Sequence, residues 1–248
     1  MENKPNKIES EKVIDADLKI NFSKEAEEAR IRYTLKKLGW FKERGYKINL
    51  PSGVKDIVDH GGTPTDEEIS RVVNTEFDPV VYEEKINDLK QKWEEEKEDF
   101  LLKLATLGLP IQTEYKISFT KYGVGGSYGL PNNIQINFDY SNARDTLAIT
   151  FHEMVHLTIE DLIQEFNIDH WTKERLVDLI YAKFFPAKKR LQRNPEKTEN
   201  IDEIFNRFFP DVKKIISEIS KLKKEFAAKE KLVNLIDPQS QNPIQNVT

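Results

Sequence analysis

The chain has 248 residues, of which 38% are hydrophobic and 33% charged, so it is long enough for one folded core or one core with an added lobe. It contains no cysteine, which excludes disulfide scaffolds, thiolate metal sites and cysteine nucleophiles. The 38 Lys and Arg residues against 43 Asp and Glu give a net charge of −5, which argues against nucleic acid and anionic membranes as partners.

The chain is predicted to begin with an arm followed by helices. Residues 1–22 are polar, lack the apolar run of a secretory signal, and predict a loosely ordered arm. Ser23 is the expected N-cap of a first helix that extends to residue 46, because apolar residues then recur at steps of three and four. A capping box from Thr65 to Glu68 predicts a second, shorter helix.

A long third helix is expected after Asp78, which can cap it, and Pro79, which is well tolerated at the first helical position. Its apolar positions keep helical spacing until Gly108. Together these segments predict an N-terminal helical region over residues 23–107. No stretch of the chain approaches the roughly 20 apolar residues of a membrane helix, so we expect a cytoplasmic protein without a membrane partner.

The hydrophobic period then changes from helical to two, which is typical of half-buried strands. Two runs alternate in this way, one through Tyr115, Ile117 and Phe119 and the other through Ile134, Ile136 and Phe138. We interpret them as two strands of a small sheet, joined by a flexible connection with the sequence GVGGSYGLP. A phosphate-binding role for these glycines is disfavoured because a strand follows them and no Lys-Ser or Lys-Thr pair does.

The next segment, TLAITFHEMVHLTIEDLIQEF, contains two of the four histidines in an H-E-x-x-H pattern. Its apolar stripe predicts a buried helix. His152 and His156 are one helical turn apart, so both imidazoles can bind a single Zn²⁺. Glu153 is placed to take a proton from a water that the zinc activates. The pattern therefore predicts one catalytic zinc ion with Glu153 as the general base.

A catalytic zinc usually has three protein ligands, so a third donor is needed. A histidine six residues after His156 is excluded because Leu162 is there. The following segment, TKERLVDLIYAKFFP, predicts a helix beginning near Thr172. Glu174 lies in its first turn and Asp178 one turn later. We assign Glu174 as the third ligand and Asp178 as a carboxylate that orients a ligand histidine.

The pairing of HEMVH with ERLVD resembles the H-E-x-x-H plus E-x-x-x-D pattern of the gluzincin metallopeptidases, the thermolysin-like clan. The short separation of the two motifs is similar to that of the compact minigluzincins. The resemblance covers about residues 112–186. It implies a zinc peptidase that acts on a peptide or protein substrate. Carried over by motif position, it implies zinc ligands at His152, His156 and Glu174, with Glu153 as general base and acid and Asp178 as the partner of a ligand histidine.

The resemblance implies two further features. An upstream strand, here Ile134, Gln135, Ile136 and Asn137, would form the sheet edge along which an extended peptide lies. A histidine or tyrosine would stabilise the oxyanion, and no position matches that role securely. The candidates, in declining order, are His170, Tyr181, Tyr122 and Tyr128. For His170 a loop position and for Tyr181 half-buried packing are the simpler interpretations. The aminopeptidase signature G-x-M-E-N is absent, which favours an endopeptidase.

These patterns predict a mostly helical α+β fold, in which a small sheet packs on an active-site helix and a glutamate helix, with additional N- and C-terminal helices. The metallopeptidase-like core would cover residues 108–186, packing helices 187–236, and a flexible tail 237–248. The N-terminal helical region would restrict substrate size or dock a partner. Two other functions stay open: a catalytically silent metal-containing binding or regulatory protein, and a helical interaction module in which the motif is accidental.

Overall fold

The computed structural model describes residues 15–139, 146–188 and 198–236. The predicted arm up to residue 14, residues 189–197 and the predicted tail 237–248 lie outside this part of the chain. The mostly helical α+β fold class is confirmed. None of the described helices is both long enough and apolar enough to cross a membrane. The described residues group into two compact units, one ending at Thr158 and the other beginning at Ile159.

A mixed four-stranded sheet organises the first unit. Its strands are β1 (Asp17–Asn21), β2 (Glu114–Thr120), β3 (Gly126–Gly129) and β4 (Asn133–Asn137), and their spatial order is β1-β2-β4-β3. The pairs β1 with β2 and β2 with β4 are parallel, whereas β3 is antiparallel to β4. The two alternating runs of the sequence are therefore the two central strands. The residues predicted to face inward from these strands are buried, apart from Phe138: they are Tyr115, Ile117, Phe119, Ile134 and Ile136. Phe138 lies just after β4 and is partly buried.

The sheet contains two strands that the sequence did not predict. Asp17–Asn21 form β1 where a loosely ordered arm was expected, because they pair along their whole length with β2. Gly126–Gly129 form β3 inside the connection that was expected to be flexible. Both strands are short, and both are stabilised by backbone hydrogen bonds to a partner rather than by their own propensity.

In the described residues from 15 onward, five helices precede β2. They are α1 (Lys24–Lys36), α2 (Leu38–Glu43), α3 (Ser52–Asp59), α4 (Asp66–Glu76) and α5 (Pro79–Ala105). Ser23 caps α1, the capping box at Thr65 begins α4, and Asp78 caps α5, all as predicted. The first predicted helix is interrupted at Lys37, two residues before Gly39, whose helix propensity is poor.

The long helix α5 supports the helix that carries the histidines, α6 (Thr146–Glu165). Phe151 of α6 stacks on Phe100 of α5, with 4.0 Å between ring centroids. The ring centroid of Trp93, also on α5, is 6.0 Å from that of Phe151. All three rings are 2% exposed or less. Burial of these aromatic rings stabilises the packing of α6 on α5 within the first unit.

The second unit contains the end of α6, then α7 (His170–Phe184), a 3₁₀ turn (Pro186–Lys188), α8 (Glu199–Phe208) and α9 (Val212–Ile236). The boundary between the units at residue 158 falls inside the predicted core 108–186. Arg175 of α7 donates from Nε and Nη2 to the two carboxylate oxygens of Asp202 of α8, in the two-bond geometry that makes Arg-carboxylate pairs strong. The helices α8 and α9 lie in the range 187–236, for which packing helices were predicted.

Candidate metal site

The two histidines of the H-E-x-x-H pattern lie on the buried part of α6. Apolar neighbours such as Phe151 and Val155 are 1% exposed or less, so the helix enters the core at this point. His156 is 2% exposed, and His152 is partly exposed. One imidazole is therefore enclosed by protein while the other reaches solvent, as a site open to a substrate requires.

The two imidazoles face each other with the same type of nitrogen, Nε2. The Nε2 atoms of His152 and His156 are 3.1 Å apart, and the ring planes are inclined at 76°. Two nitrogens bound to one zinc at about 2.0–2.1 Å with tetrahedral angles are separated by about 3.3–3.4 Å. The observed separation is within a few tenths of an ångström of this value, so the histidine pair fits a tetrahedral ion.

The predicted third ligand belongs to the same group. Glu174, on the first half of α7, is 8% exposed. One of its carboxylate oxygens and one nitrogen from each of His152 and His156 all lie within 4.8 Å of one another. Two imidazole nitrogens and one carboxylate oxygen are a donor set typical of catalytic zinc, so the residues present fit such an ion.

The Glu153 carboxylate lies directly beneath strand β3. Glu153 is 6% exposed, and Gly126 at the start of β3 approaches it so closely that a Cβ on Gly126 would overlap its carboxylate oxygen. The same Cβ would also lie only 2.7 Å from Cγ2 of Ile149 and 3.0 Å from Cδ of Glu153. The backbone of β3 can therefore reach the carboxylate only because residue 126 has no side chain.

A tyrosine of the same strand covers one of the histidines. The ring of Tyr128 stacks on that of His156, with 4.6 Å between centroids and 12° between planes. Tyr128 was the last of the four oxyanion candidates, yet its ring contacts a histidine of the motif. The glycine-rich connection, in which only Tyr128 was named as a candidate, thus supplies both Gly126 and Tyr128.

The predicted substrate-binding edge is wrong. Ile134 to Asn137 belong to β4, which pairs with β2 on one side and with β3 on the other. A strand with both sides paired has no free backbone groups for a peptide. The edge strand on this side of the sheet is β3. Alternation of apolar residues identified β4 as a strand, but it gives no information about the order of strands.

Tyr122 is also removed from the oxyanion candidates. Its hydroxyl donates to the Glu76 carboxylate, and its ring belongs to an apolar cluster with Ile31 and Val54. Burial, together with the Glu76 charge, raises the pKa of this phenol well above its usual range. A neutral hydroxyl already bonded to a carboxylate at another place in the core has no access to a substrate.

The remaining predicted residues lie on α7. His170 is the first residue of the helix rather than a loop residue, because Asp169 and not Thr172 is the N-cap. Its Nδ1 is 3.7 Å from the Glu174 carboxylate, which places it beside the predicted third ligand. Asp178 is 3% exposed one turn after Glu174, and its predicted role as a histidine partner stays a prediction. Tyr181 is 6% exposed and packs near Phe185, with 5.1 Å between ring centroids.

Comparison of the chain with protein-family models, with curated proteins and with solved structures gives no match. The gluzincin resemblance therefore depends on the motif residues of the sequence alone.

Proposed function

We propose that the protein is a zinc-dependent peptidase in which His152, His156 and Glu174 hold the metal and Glu153 is the general base. The observation that carries this proposal is the convergence of the three donor atoms to within 4.8 Å. The 3.1 Å separation of the two imidazole nitrogens supports it further, because one ion can bridge that distance.

Zinc bound by these residues would polarise the scissile carbonyl and lower the pKa of water, which is the chemistry that peptide hydrolysis at neutral pH requires. Glu153 accepts the proton of the attacking water and later delivers it to the leaving amine nitrogen. Its position suits this role, because it is next to a ligand histidine in the sequence and its carboxylate is confined by Gly126. A site that only stored metal would not need such a carboxylate.

Strand β3 gives the proposal a place for the substrate. In the described part of the chain it is the edge strand of the sheet beyond β4. An extended peptide that adds to β3 would pass the residues that contact Glu153 and His156. The proposed substrate is therefore a peptide or an unfolded protein segment, cleaved internally.

Metal analysis and a Glu153→Gln variant test the proposal together. We expect the purified protein to contain about one zinc per chain, and the His156→Ala and Glu174→Ala variants to contain much less. Glu153→Gln should retain the zinc and lose hydrolysis of a casein or mixed-peptide substrate by about 10²-fold or more. Zinc binding without hydrolysis by the native protein would instead support the silent binding protein. Absence of zinc binding would refute the metal site.

A further inference from the structure

A buried arginine from the N-terminal region connects α1 to the strands beside the candidate site. Arg30 is 0% exposed, although it belongs to a helix near the start of the chain. Its Nη1 donates to Ser127 Oγ at 3.0 Å and to Gln135 Oε1 at 2.8 Å. Its Nη2 donates to the carbonyl oxygen of Val124 at 3.2 Å. One guanidinium thus bonds β3, β4 and the turn that precedes β3.

Burial of an arginine is costly, so the contacts that compensate for it indicate what the residue does. Burial lowers the pKa of Arg30, while Tyr33, Glu153 and Glu27 act in the opposite direction. The guanidinium fits against the backbone only because residue 123 is a glycine. Gly123 has φ +92°, and a Cβ there would lie 3.0 Å from Cδ and 3.1 Å from Cζ of Arg30. Both the acceptors and the missing side chain are arranged around this one group.

The residues that Arg30 anchors are immediate neighbours of those that contact the site. Ser127, which accepts from Nη1, lies between Gly126 and Tyr128. Gly126 lies against the Glu153 carboxylate, and Tyr128 stacks on His156. A short strand with two glycines has little intrinsic stability, so a bond at its centre strongly affects its position.

We propose that Arg30 is a positioning residue, which holds β3 over α6 so that Gly126 confines Glu153 and Tyr128 orients the His156 ring. The N-terminal helical region is then an integral support of the site, and not a lobe that could be removed. This proposal rests on the proposed function only for the identity of the site, since the arrangement of β3, β4 and α6 is defined without a metal.

The test compares Arg30→Met with Ile31→Ala in the full-length protein. Ile31 is a matched control because it is on the same helix and equally buried, but packs in the apolar cluster with Val54 and Ile69. Hydrogen exchange of the metal-free proteins is measured at urea concentrations that give both variants the same free energy of unfolding. We expect amides of residues 125–129 to exchange about tenfold faster in Arg30→Met than in the control, with α5, which contributes no buried residue to the Ile31 cluster and no acceptor to Arg30, equally protected in both.

Cobalt(II) provides a second readout, because its visible absorption reports ligand geometry. The Arg30→Met variant should bind Co²⁺ with a changed spectrum, whereas Ile31→Ala should give the native spectrum. Equal exchange in the two variants would overturn the proposal, as would a native Co²⁺ spectrum for Arg30→Met. Failure of the native protein to bind Co²⁺ would refute the proposed metal site, and the exchange comparison would still decide the role of Arg30.

A variant on the acceptor side covers the case in which Arg30→Met does not fold. Ser127→Ala removes one acceptor of the guanidinium and leaves the charge and its other two bonds in place. It should accelerate exchange of residues 125–129 in the same direction. Unchanged exchange in this variant would also overturn the proposal.

Discussion

A single methyl group on strand β3 should separate the role of Gly126 from the general requirements of the strand. In Gly126→Ala, the new Cβ would lie 2.7 Å from Cγ2 of Ile149 and 3.0 Å from Cδ of Glu153. Ordinary contacts between carbon atoms are about 3.5–4.0 Å, so the strand and its neighbours must separate by roughly 1 Å. Gly126 is not among the glycines with positive φ, so alanine at this position adds no backbone strain.

The cost of this overlap follows from packing. Extra volume in a packed region costs about 1–3 kcal/mol. For a chain of this length we expect the melting temperature to fall by roughly 2–4 °C per kcal/mol, hence by about 2–12 °C. If Glu153 is the general base, displacement of its carboxylate by about 1 Å should also lower kcat/KM by about 10²-fold, because catalysis depends on its position.

Gly129 provides the control, because it is in the same strand and a Cβ there would have nothing within 4 Å. Gly129→Ala should be neutral, or stabilising by up to about 1 kcal/mol through the unfolded chain. Thermal unfolding and peptide hydrolysis of the two variants are compared side by side. Equal melting temperatures for Gly126→Ala and Gly129→Ala would refute the close approach of β3 to α6. A lower melting temperature with unchanged hydrolysis would refute the role of Glu153.

Three further predictions concern other parts of the molecule. A chelator should lower the melting temperature of the native protein, by an amount equivalent to about 2.7 kcal/mol if free metal was at 100 times its Kd, and should have no effect on His156→Ala. Burial raises the pKa of Glu27 above its ordinary value of 4.5, so ionisation of this carboxyl destabilises the fold. The free energy of unfolding of the native protein should therefore fall, relative to that of Glu27→Gln, as the pH rises above 4.5. Urea titrations of both proteins at pH 4 and pH 8 would contradict this if the difference between their free energies of unfolding were the same at the two pH values. Thr65→Ala removes the capping box of α4 and should cost about 1 kcal/mol in urea unfolding, whereas Thr75→Ala, on the exposed face of the same helix, should stay within about 0.5 kcal/mol of the native protein.

Local signals predicted the helices that lead to the site because helix boundaries depend on a few neighbouring residues. Asp78 and Pro79 begin α5, and the capping box at Thr65 begins α4, as their side chains and fixed φ require. The spacing of His152 and His156 works in the same way, since a separation of four residues means one turn of any helix. The histidine pair could therefore be predicted from the five residues of the H-E-x-x-H pattern.

The strands beside the site could not be predicted in this way, because they depend on pairing between distant parts of the chain. Asp17 of β1 pairs with Glu114 of β2, and nothing near Asp17 indicates that partner. In β3, two of four residues are glycine, which is unfavourable in strands, and its position depends on Arg30 nearly a hundred residues earlier. The incorrect edge assignment for Ile134 to Asn137 has the same origin, since alternation shows that a strand exists but not which neighbours it has.

The position of Glu174 could be predicted from the sequence only in part. Its place early in a helix was predictable from the sequence, but the direction of α7 depends on a tight turn after α6. The Asn167 backbone adopts φ +51°, a left-handed conformation that asparagine tolerates better than most residues, and the Ile168 amide bonds back to the Ile163 carbonyl oxygen. Asp169 then caps α7 immediately. The chain therefore passes from α6 to α7 within a few residues. Glu174 then follows about one turn after the cap, so its place along α7 is fixed by the cap. A short separation between the two motifs is therefore long enough for a complete turn and a capped helix with Glu174 near its start.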